Sequence, residues 1–321
     1  MLTVMFSTRN GSAVLPRVLD AMARARPPAG GWKVIAVDNA STDNSADIMR
    51  AYQDRLPLTV ISEPVPGKNR GLNRALELAE GDFYVFCDDD VVVAEDWLVK
   101  WREAADSHAA QELFGGRVEP LWPDDPPQWV LDEVSHSVVF GTNLHMHEGP
   151  CDAIAMFGTN MAIRASVFEN GIRFNANIGP DNSRAYPMGS ETELALRLAA
   201  RGYKAWFSEG ARVQHIIRPH QMERLSILMR GYRWGRGQAH MKVKHSYAPG
   251  RLGRKNLLRW GFYPLLMRFY GHGEAWARQW EWAIDQGYED GWRESRNLPA
   301  RWMRNRKGPH VAARFRALPA S

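Results

Sequence analysis

Phe83-Tyr84-Val85-Phe86-Cys87-Asp88-Asp89-Asp90 is a short apolar run that ends in three consecutive carboxylates, and it decides how the rest of this 321-residue chain is read. Apolar residues at every position describe a strand buried on both faces, as in a parallel sheet covered by helices on both sides. Three like charges at its carboxyl end repel one another and resist desolvation, so they call for a cation. Side chains alternate along an extended backbone, which puts Asp88 and Asp90 on one side and Asp89 on the other. Open α/β sheets bind ligands outside the carboxyl ends of their strands. Hard oxygen donors in an incomplete set suit Mg²⁺ or Mn²⁺ that is also coordinated by phosphate oxygens of a ligand. A solvated acidic turn is the alternative.

Working outward toward the N-terminus, Thr3 to Ser7 reads as a first strand, and Ser12 is placed to cap a helix with Leu15, Val18, Leu19 and Met22 on one face. Lys33 to Val37 is a second strand ending in Asp38-Asn39-Ala40-Ser41-Thr42-Asp43, and Leu58 to Ile61 is a third. Glu63 to Gly71 reads as a basic loop carrying Lys68 and Arg70, followed by a helix over Leu72 to Glu80. Strands alternating with helices at this spacing predict right-handed βαβ units. Toward the C-terminus, Phe114 to Pro120 and Phe157 to Arg164 read as further strands. Asn177 to Met188, rich in turn residues, reads as a mobile loop beside a site. Ser190 and Glu193 form an S-x-x-E capping box at the start of a helix.

The chain carries 41 Lys and Arg against 36 Asp and Glu, a net charge of +5. That balance conceals an asymmetry: residues 211–321 hold 22 of the cations and 7 of the acids, which leaves the front two thirds at −10 and the tail at +15. In the tail, Arg224, Arg230, Arg233 and Arg236 mix with Tyr232 and Trp234, Leu257 to Tyr270 is apolar and aromatic, and Trp276, Trp280 and Trp282 recur at helical spacing. Cations and tryptophans along amphipathic helices favour an anionic membrane surface. They would equally pack on the rest of the chain and present Arg to a diphosphate; the first is preferred. No recognition motif supports a nucleic-acid partner. Two cysteines, Cys87 and Cys151, exclude a disulfide framework, and His136, His145 and His147 lack the companions of a zinc site. The absence of a signal-like leader and of a roughly twenty-residue apolar span predicts a cytoplasmic protein, peripheral at most on the inner membrane face.

These pieces together resemble the nucleotide-sugar-binding half of family 2 glycosyltransferases, which have the GT-A fold. The resemblance is carried by Ser7-Thr8-Arg9-Asn10, Val37-Asp38-Asn39-Ala40-Ser41-Thr42-Asp43, Gly67 to Asn73, and Asp88-Asp89-Asp90, the family's DxD motif, with Trp97-Leu98 behind it. Neither G-x-G-x-x-G after strand one nor G-x-x-x-x-G-K-[ST] is present. The resemblance implies a GT-A-like, mostly parallel twisted sheet with flanking helices over residues 1–215, with a nucleotide-sugar half of about 1–110 and an acceptor half of about 111–215. A basic, Trp-rich helical extension follows over 216–321.

It also implies donor contacts from Thr8, Asp38, Asp88 and Asp89, and a Mn²⁺ or Mg²⁺ ion held by Asp88 and Asp90, with His215 as a third ligand or a packed residue; Thr8 serves equally as part of a helix-initiating turn, and Lys68 either pairs with the donor diphosphate or solvates its loop. Asn160 would hold an acceptor hydroxyl or a backbone group. Glu191 stands where the family has its catalytic aspartate, at a helix start whose dipole favours the ionised form, and would deprotonate the acceptor hydroxyl. The implied activity is inverting, metal-dependent sugar transfer from a UDP-, GDP- or dTDP-linked donor to a hydroxyl-bearing glycan or glycolipid. A non-catalytic nucleotide-sugar sensor or scaffold with the same fold is the rival from another class. A sugar-1-phosphate nucleotidyltransferase would require a Gly-rich basic signature that Thr8-Arg9-Asn10-Gly11 lacks.

Overall fold

The computed structural model describes residues 1–242 and 272–297. They divide into two units. The first comprises residues 1–123, 140–182 and 190–217, and the second takes in 124–139, 183–189 and the chain from Arg218 onward.

The first unit begins with β1 (Leu2–Thr8), α1 (Leu15–Arg24), β2 (Trp32–Asn39), α2 (Ser45–Arg50), β3 (Leu58–Glu63), α3 (Lys68–Leu76), β4 (Phe83–Cys87), β5 (Val91–Val93) and α4 (Trp97–Ser107). The period of two expected for doubly covered strands is visible in the packing. Leu2, Val4 and Phe6 of β1 and Phe83, Val85 and Cys87 of β4 enter one apolar layer, whereas Met5, Tyr84 and Phe86 enter the opposite one. Helices α1 and α4 cover the first layer through Leu15, Val18, Leu19 and Met22 and through Trp97, Leu98 and Trp101. Each such fully buried apolar side chain contributes about 1.5–3 kcal/mol. Helix α3 covers the second layer through Leu72, Ala75 and Leu76.

The predicted βαβ order is present, with local corrections. Helix α1 starts at Leu15 without a side-chain cap, and the backbone N–H of Ser12 instead donates to Asp43 Oδ2 at 3.1 Å. Lys68 and Arg70 lie in the first turn of α3, not in a loop. The three-residue strand β5, directly after the acidic run, was not expected from the sequence.

The chain continues through β6 (Leu113–Leu121), α5 (Gln128–Glu133), α6 (His136–Phe140), β7 (Gly149–Cys151), β8 (Asn160–Arg164), α7 (Ser166–Glu169), α8 (Ser190–Ala199) and β9 (Ala205–Ile216). One sheet holds all the strands in the order β3-β2-β1-β4-β8-β6-β9-β5, with β7 paired to β9. Strands β1 to β4, β6 and β9 run in one direction; β8, β5 and β7 oppose them. The carboxyl ends of β1, β2, β4 and β9 therefore share one edge. Helix α8 packs Leu194, Ala195 and Leu198 into the same layer as α3.

The second unit contains α5, the segment Ser183–Gly189, α9 (Arg224–His240) and α10 (His272–Glu294). Helices α9 and α10 meet backbone to backbone: a Cβ on Gly235 would stand 1.9 Å from the Ile284 carbonyl oxygen, and one on Gly287 1.9 Å from that of Tyr232. The Tyr232 hydroxyl donates to buried Asp290 at 2.8 Å. The helical tail expected from the sequence is present in these elements, and Leu257 to Tyr270 lies outside the described residues. The arginines of α9 are engaged within the unit. Arg224 lies over the rings of Trp129 and Trp276, Arg230 donates to the Val138 carbonyl at 3.0 Å, and Arg233 donates to that of Arg184 at 2.8 Å. Among the described residues no helix is long and apolar enough to cross a membrane.

Candidate active site

The carboxyl-terminal edge of the sheet gathers the acidic run. Parallel pairing of β1 with β2 puts Thr8 opposite Asp38, and antiparallel pairing of β4 with β8 puts Cys87 opposite Asn160. Pairing of β5 with β9 brings His215 opposite Val91, and the Asp90 carbonyl accepts from the Ile216 N–H at 2.9 Å. Each of the three aspartates has its own partner.

Asp88 forms an ion pair with Lys68 and accepts a hydrogen bond from the Thr159 hydroxyl at 3.2 Å. Burial alone would lower the Lys68 pKa; the carboxylates of Asp88 and Glu191 outweigh it and raise it, so the ammonium stays charged. Asp89 accepts from the Thr8 hydroxyl. Thr8 is only 1% exposed, so its hydroxyl is buried in this contact. Asp90 faces His215 Nε2 at 3.3 Å, and His215 Nδ1 meets the Phe140 carbonyl at 2.6 Å. Burial presses the His215 pKa down, but the adjacent Asp90 and, behind it, Asp88 raise it above the ordinary histidine value.

Asp38 is the penultimate residue of β2, and its Oδ1 accepts from the Ser41 N–H at 3.3 Å in a short turn in which Ala40 has φ +54°. Neighbouring Asn39 ties Gly67 to the sheet, accepting from the Gly67 N–H at 2.7 Å and donating to the Val65 carbonyl at 2.8 Å. That fixes the entry to α3 and hence Lys68.

Helix α8 begins at Ser190 and presents Glu191 in its first turn. Gly158 lies against both groups: a Cβ there would be 3.4 Å from Glu191 Oε2 and 3.5 Å from Lys68 Nζ. Asp88, Lys68 and Glu191 are thus brought together, while Thr8 stands opposite Asp38 in the β1–β2 register and donates to Asp89. Glu193, expected in the capping box, binds Arg197 through two hydrogen bonds of 2.8 Å. Asn160 takes the second of its two expected uses. It is fully buried, donates to the carbonyls of Arg117 at 3.0 Å and Ala211 at 2.8 Å, and accepts from the Trp97 indole at 2.9 Å.

Among the described residues no group of three or more His, Cys, Asp or Glu side chains is arranged as a ready metal site. The donor set at Asp90, with a carboxylate, a facing imidazole and Asp88 nearby, fits a divalent ion whose remaining ligands come from elsewhere, such as phosphate oxygens. Thr159 and Gly158 were not singled out in the sequence. The signal that would have found them is the antiparallel register of β8 against β4, which local patterning does not reveal.

The sequence profile of glycosyl transferase family 2 matches residues 3–172. A poly(ribitol-phosphate) beta-glucosyltransferase of Bacillus spizizenii is 27% identical over 119 residues, which cover 36% of this chain and 18% of that protein. The match thus spans less than a fifth of that curated relative. The crystal structure of S. aureus TarS residues 1–349 in complex with UDP superposes with a TM-score of 0.54 at 16% identity, covering 92% of this chain and 91% of the other. Mannosyltransferase PcManGT from Pyrobaculum calidifontis, in complex with GDP-Man and Mn²⁺, gives a TM-score of 0.55 at 20% identity, covering 98% and 78%. At such identities the likeness establishes the fold, which is that of GT-A transferases.

Proposed function

The chain belongs to glycosyl transferase family 2, and from that premise we propose that it moves a sugar from a nucleotide-diphosphate sugar to an acceptor hydroxyl with inversion at the anomeric carbon. The observation that carries this reading is the shared cation. Lys68 pairs with Asp88 at the strand end and lies beside Glu191 across Gly158, so a donor-side carboxylate and a candidate base flank one ammonium.

The donor lies along the edge formed by Thr8, Asp38, Asp88 and Asp89, with Asp38 accepting from a nucleobase imide or a ribose hydroxyl. Mn²⁺ or Mg²⁺ would be held by Asp90 with Asp88 and His215, and when bound it offsets charge on the departing diphosphate. Lys68 adds a fixed positive charge on the same side. Glu191 accepts the proton of the attacking hydroxyl as the new carbon–oxygen bond forms, and the electron pair of the broken bond leaves with the diphosphate. Complexes of the structural neighbours with UDP and GDP-Man support a UDP- or GDP-linked donor, and a dTDP-linked one belongs to the same chemistry. The acceptor we favour is a glycan or glycolipid under assembly at the cytoplasmic face of a membrane, and the +15 tail would associate with its anionic surface.

The test is Glu191→Gln. Turnover should fall about 10²- to 10⁴-fold, the range of a lost general base, with nucleoside diphosphate binding retained. Undiminished turnover would move the base elsewhere. Tight nucleoside diphosphate binding by a wild type that turns over no donor would favour the sensor reading.

A further inference from the structure

The sequence reads Asn177 to Met188 as a mobile loop, yet residues 173–180, which include its first four positions, are bound on two sides. On one side, α3 grips the segment. The Asn73 amide exchanges two hydrogen bonds of 2.9 Å with the backbone of Phe174. The Asn69 amide donates to the carbonyls of Asn175 at 2.8 Å and Ile178 at 2.7 Å, and the Lys68 N–H donates to the Pro180 carbonyl at 2.9 Å. On the other side, α8 grips it. Arg197 donates to the Arg173 carbonyl at 2.7 Å, and Gly179 lies so close to Ser190 that a Cβ on it would be 2.4 Å from the Ser190 hydroxyl. Phe174 and Ile178 are both 3% exposed and anchor the segment in the core.

The segment is therefore a spacer between α3, which carries Lys68, and α8, which carries Glu191. Asn69 is the deepest of its holds. The residue is 1% exposed, its Nδ2 serves two carbonyls, and its Oδ1 is buried with no partner among the described residues. A buried acceptor left unsatisfied costs about 1–3 kcal/mol, so stability alone does not explain an amide there. Its two N–H groups do: they hold Asn175 and Ile178 at a fixed depth, and with them Gly179 against Ser190.

We propose that Asn69 is a positioning residue for sugar transfer, acting through the 173–180 spacer to fix Glu191 relative to Lys68 and Asp88. The role rests on the reading of Glu191 as the base. It requires that Asn69 contribute to turnover only where Glu191 is competent, and that it contribute little to nucleotide affinity.

The full chain and its Asn69→Ala, Gly179→Ala, Glu191→Gln and Asn69→Ala/Glu191→Gln variants are assayed for release of nucleoside diphosphate from UDP-N-acetylglucosamine, GDP-mannose and dTDP-glucose with Mn²⁺. UDP, GDP and dTDP affinities are measured by calorimetry. Asn69→Ala should lower kcat about 10- to 100-fold, as misplacement of a reacting group does, with nucleoside diphosphate Kd within about threefold. Gly179→Ala, made in a different segment with φ +103°, should show the same signature and keeps the test open if Asn69→Ala does not fold. In the Glu191→Gln background, Asn69→Ala should remove almost nothing further. Additive losses in the double variant would overturn the positioning role, as would unchanged turnover in both single variants or a loss of nucleotide affinity as large as the loss of turnover. Normal turnover in Glu191→Gln, or none by wild type with any of the three donors, would instead overturn the transferase reading beneath it.

Discussion

His215 presents Nε2 to the Asp90 carboxylate at 3.3 Å while its Nδ1 meets the Phe140 carbonyl at 2.6 Å, so both ring nitrogens face oxygen in a nearly closed environment. Two acceptors favour imidazolium, which agrees with a pKa raised by Asp90 against the opposing effect of burial. A base whose pKa is higher folded than unfolded stabilises the fold fully below the unfolded value of about 6.5 and loses that contribution as pH rises through the folded value. Without divalent ions, the Tm difference between wild type and His215→Gln should therefore be largest below pH 6.5 and shrink above it. A difference that grows with pH would contradict the pairing.

Asn160 separates two roles that the sequence leaves open. Truncation to alanine orphans the Trp97 indole N–H and the carbonyls of Arg117 and Ala211, all at buried contacts. At about 1–3 kcal/mol for each unsatisfied group, Asn160→Ala should destabilise the first unit by several kcal/mol in chemical denaturation. A variant of unchanged stability but weakened acceptor saturation would restore the acceptor role.

The crossing of α9 and α10 has no room for side chains at Gly235 and Gly287, where a Cβ would sit 1.9 Å from a backbone oxygen. Gly235→Ala or Gly287→Ala should lower the stability of the second unit by at least about 1–3 kcal/mol, the usual penalty for overpacking, because backbone cannot rotate away as a side chain can. Denaturation followed by tryptophan fluorescence reads this. Unchanged unfolding in both variants would show that the helices separate more widely.

Membrane contact by the basic tail rests on charge. Arg224, Arg230, Arg233 and Arg236 are already engaged within the second unit, so attraction would come from the remaining cations of the +15 segment. Sedimentation with phosphatidylserine vesicles should be strong at low ionic strength and weaken steeply by 0.5 M salt, where the Debye length is only a few ångströms. Salt-independent or absent sedimentation would remove that surface as a partner.

What was legible in the sequence follows from which forces act locally. Strand β4 and its acidic end could be read because an unbroken apolar run and three adjacent charges need no knowledge of their neighbours. The start of α3 was missed because Gly67 and the polar residues after it have the composition of a loop; the helix begins there because Asn39, 28 positions earlier, holds the Gly67 N–H. Thr159 beside Asp88 and the spacer gripped by Asn69 depend on an antiparallel register and on partners 71 and more than 100 residues apart in sequence. The second unit gathers segments 124–139 and 183–189 with the tail, an assembly that no linear change in composition announces.

The central claim is that the aspartates closing β4 hold a divalent ion that receives a nucleoside diphosphate. Its most direct test is calorimetric titration of UDP and GDP into wild type and Asp90→Ala, with and without Mn²⁺. Mn²⁺ should tighten binding of at least one nucleotide to wild type by tenfold or more, about 1.4 kcal/mol, and Asp90→Ala should abolish this gain while remaining folded. An equal Mn²⁺ gain in Asp90→Ala, or no gain in wild type, would contradict it.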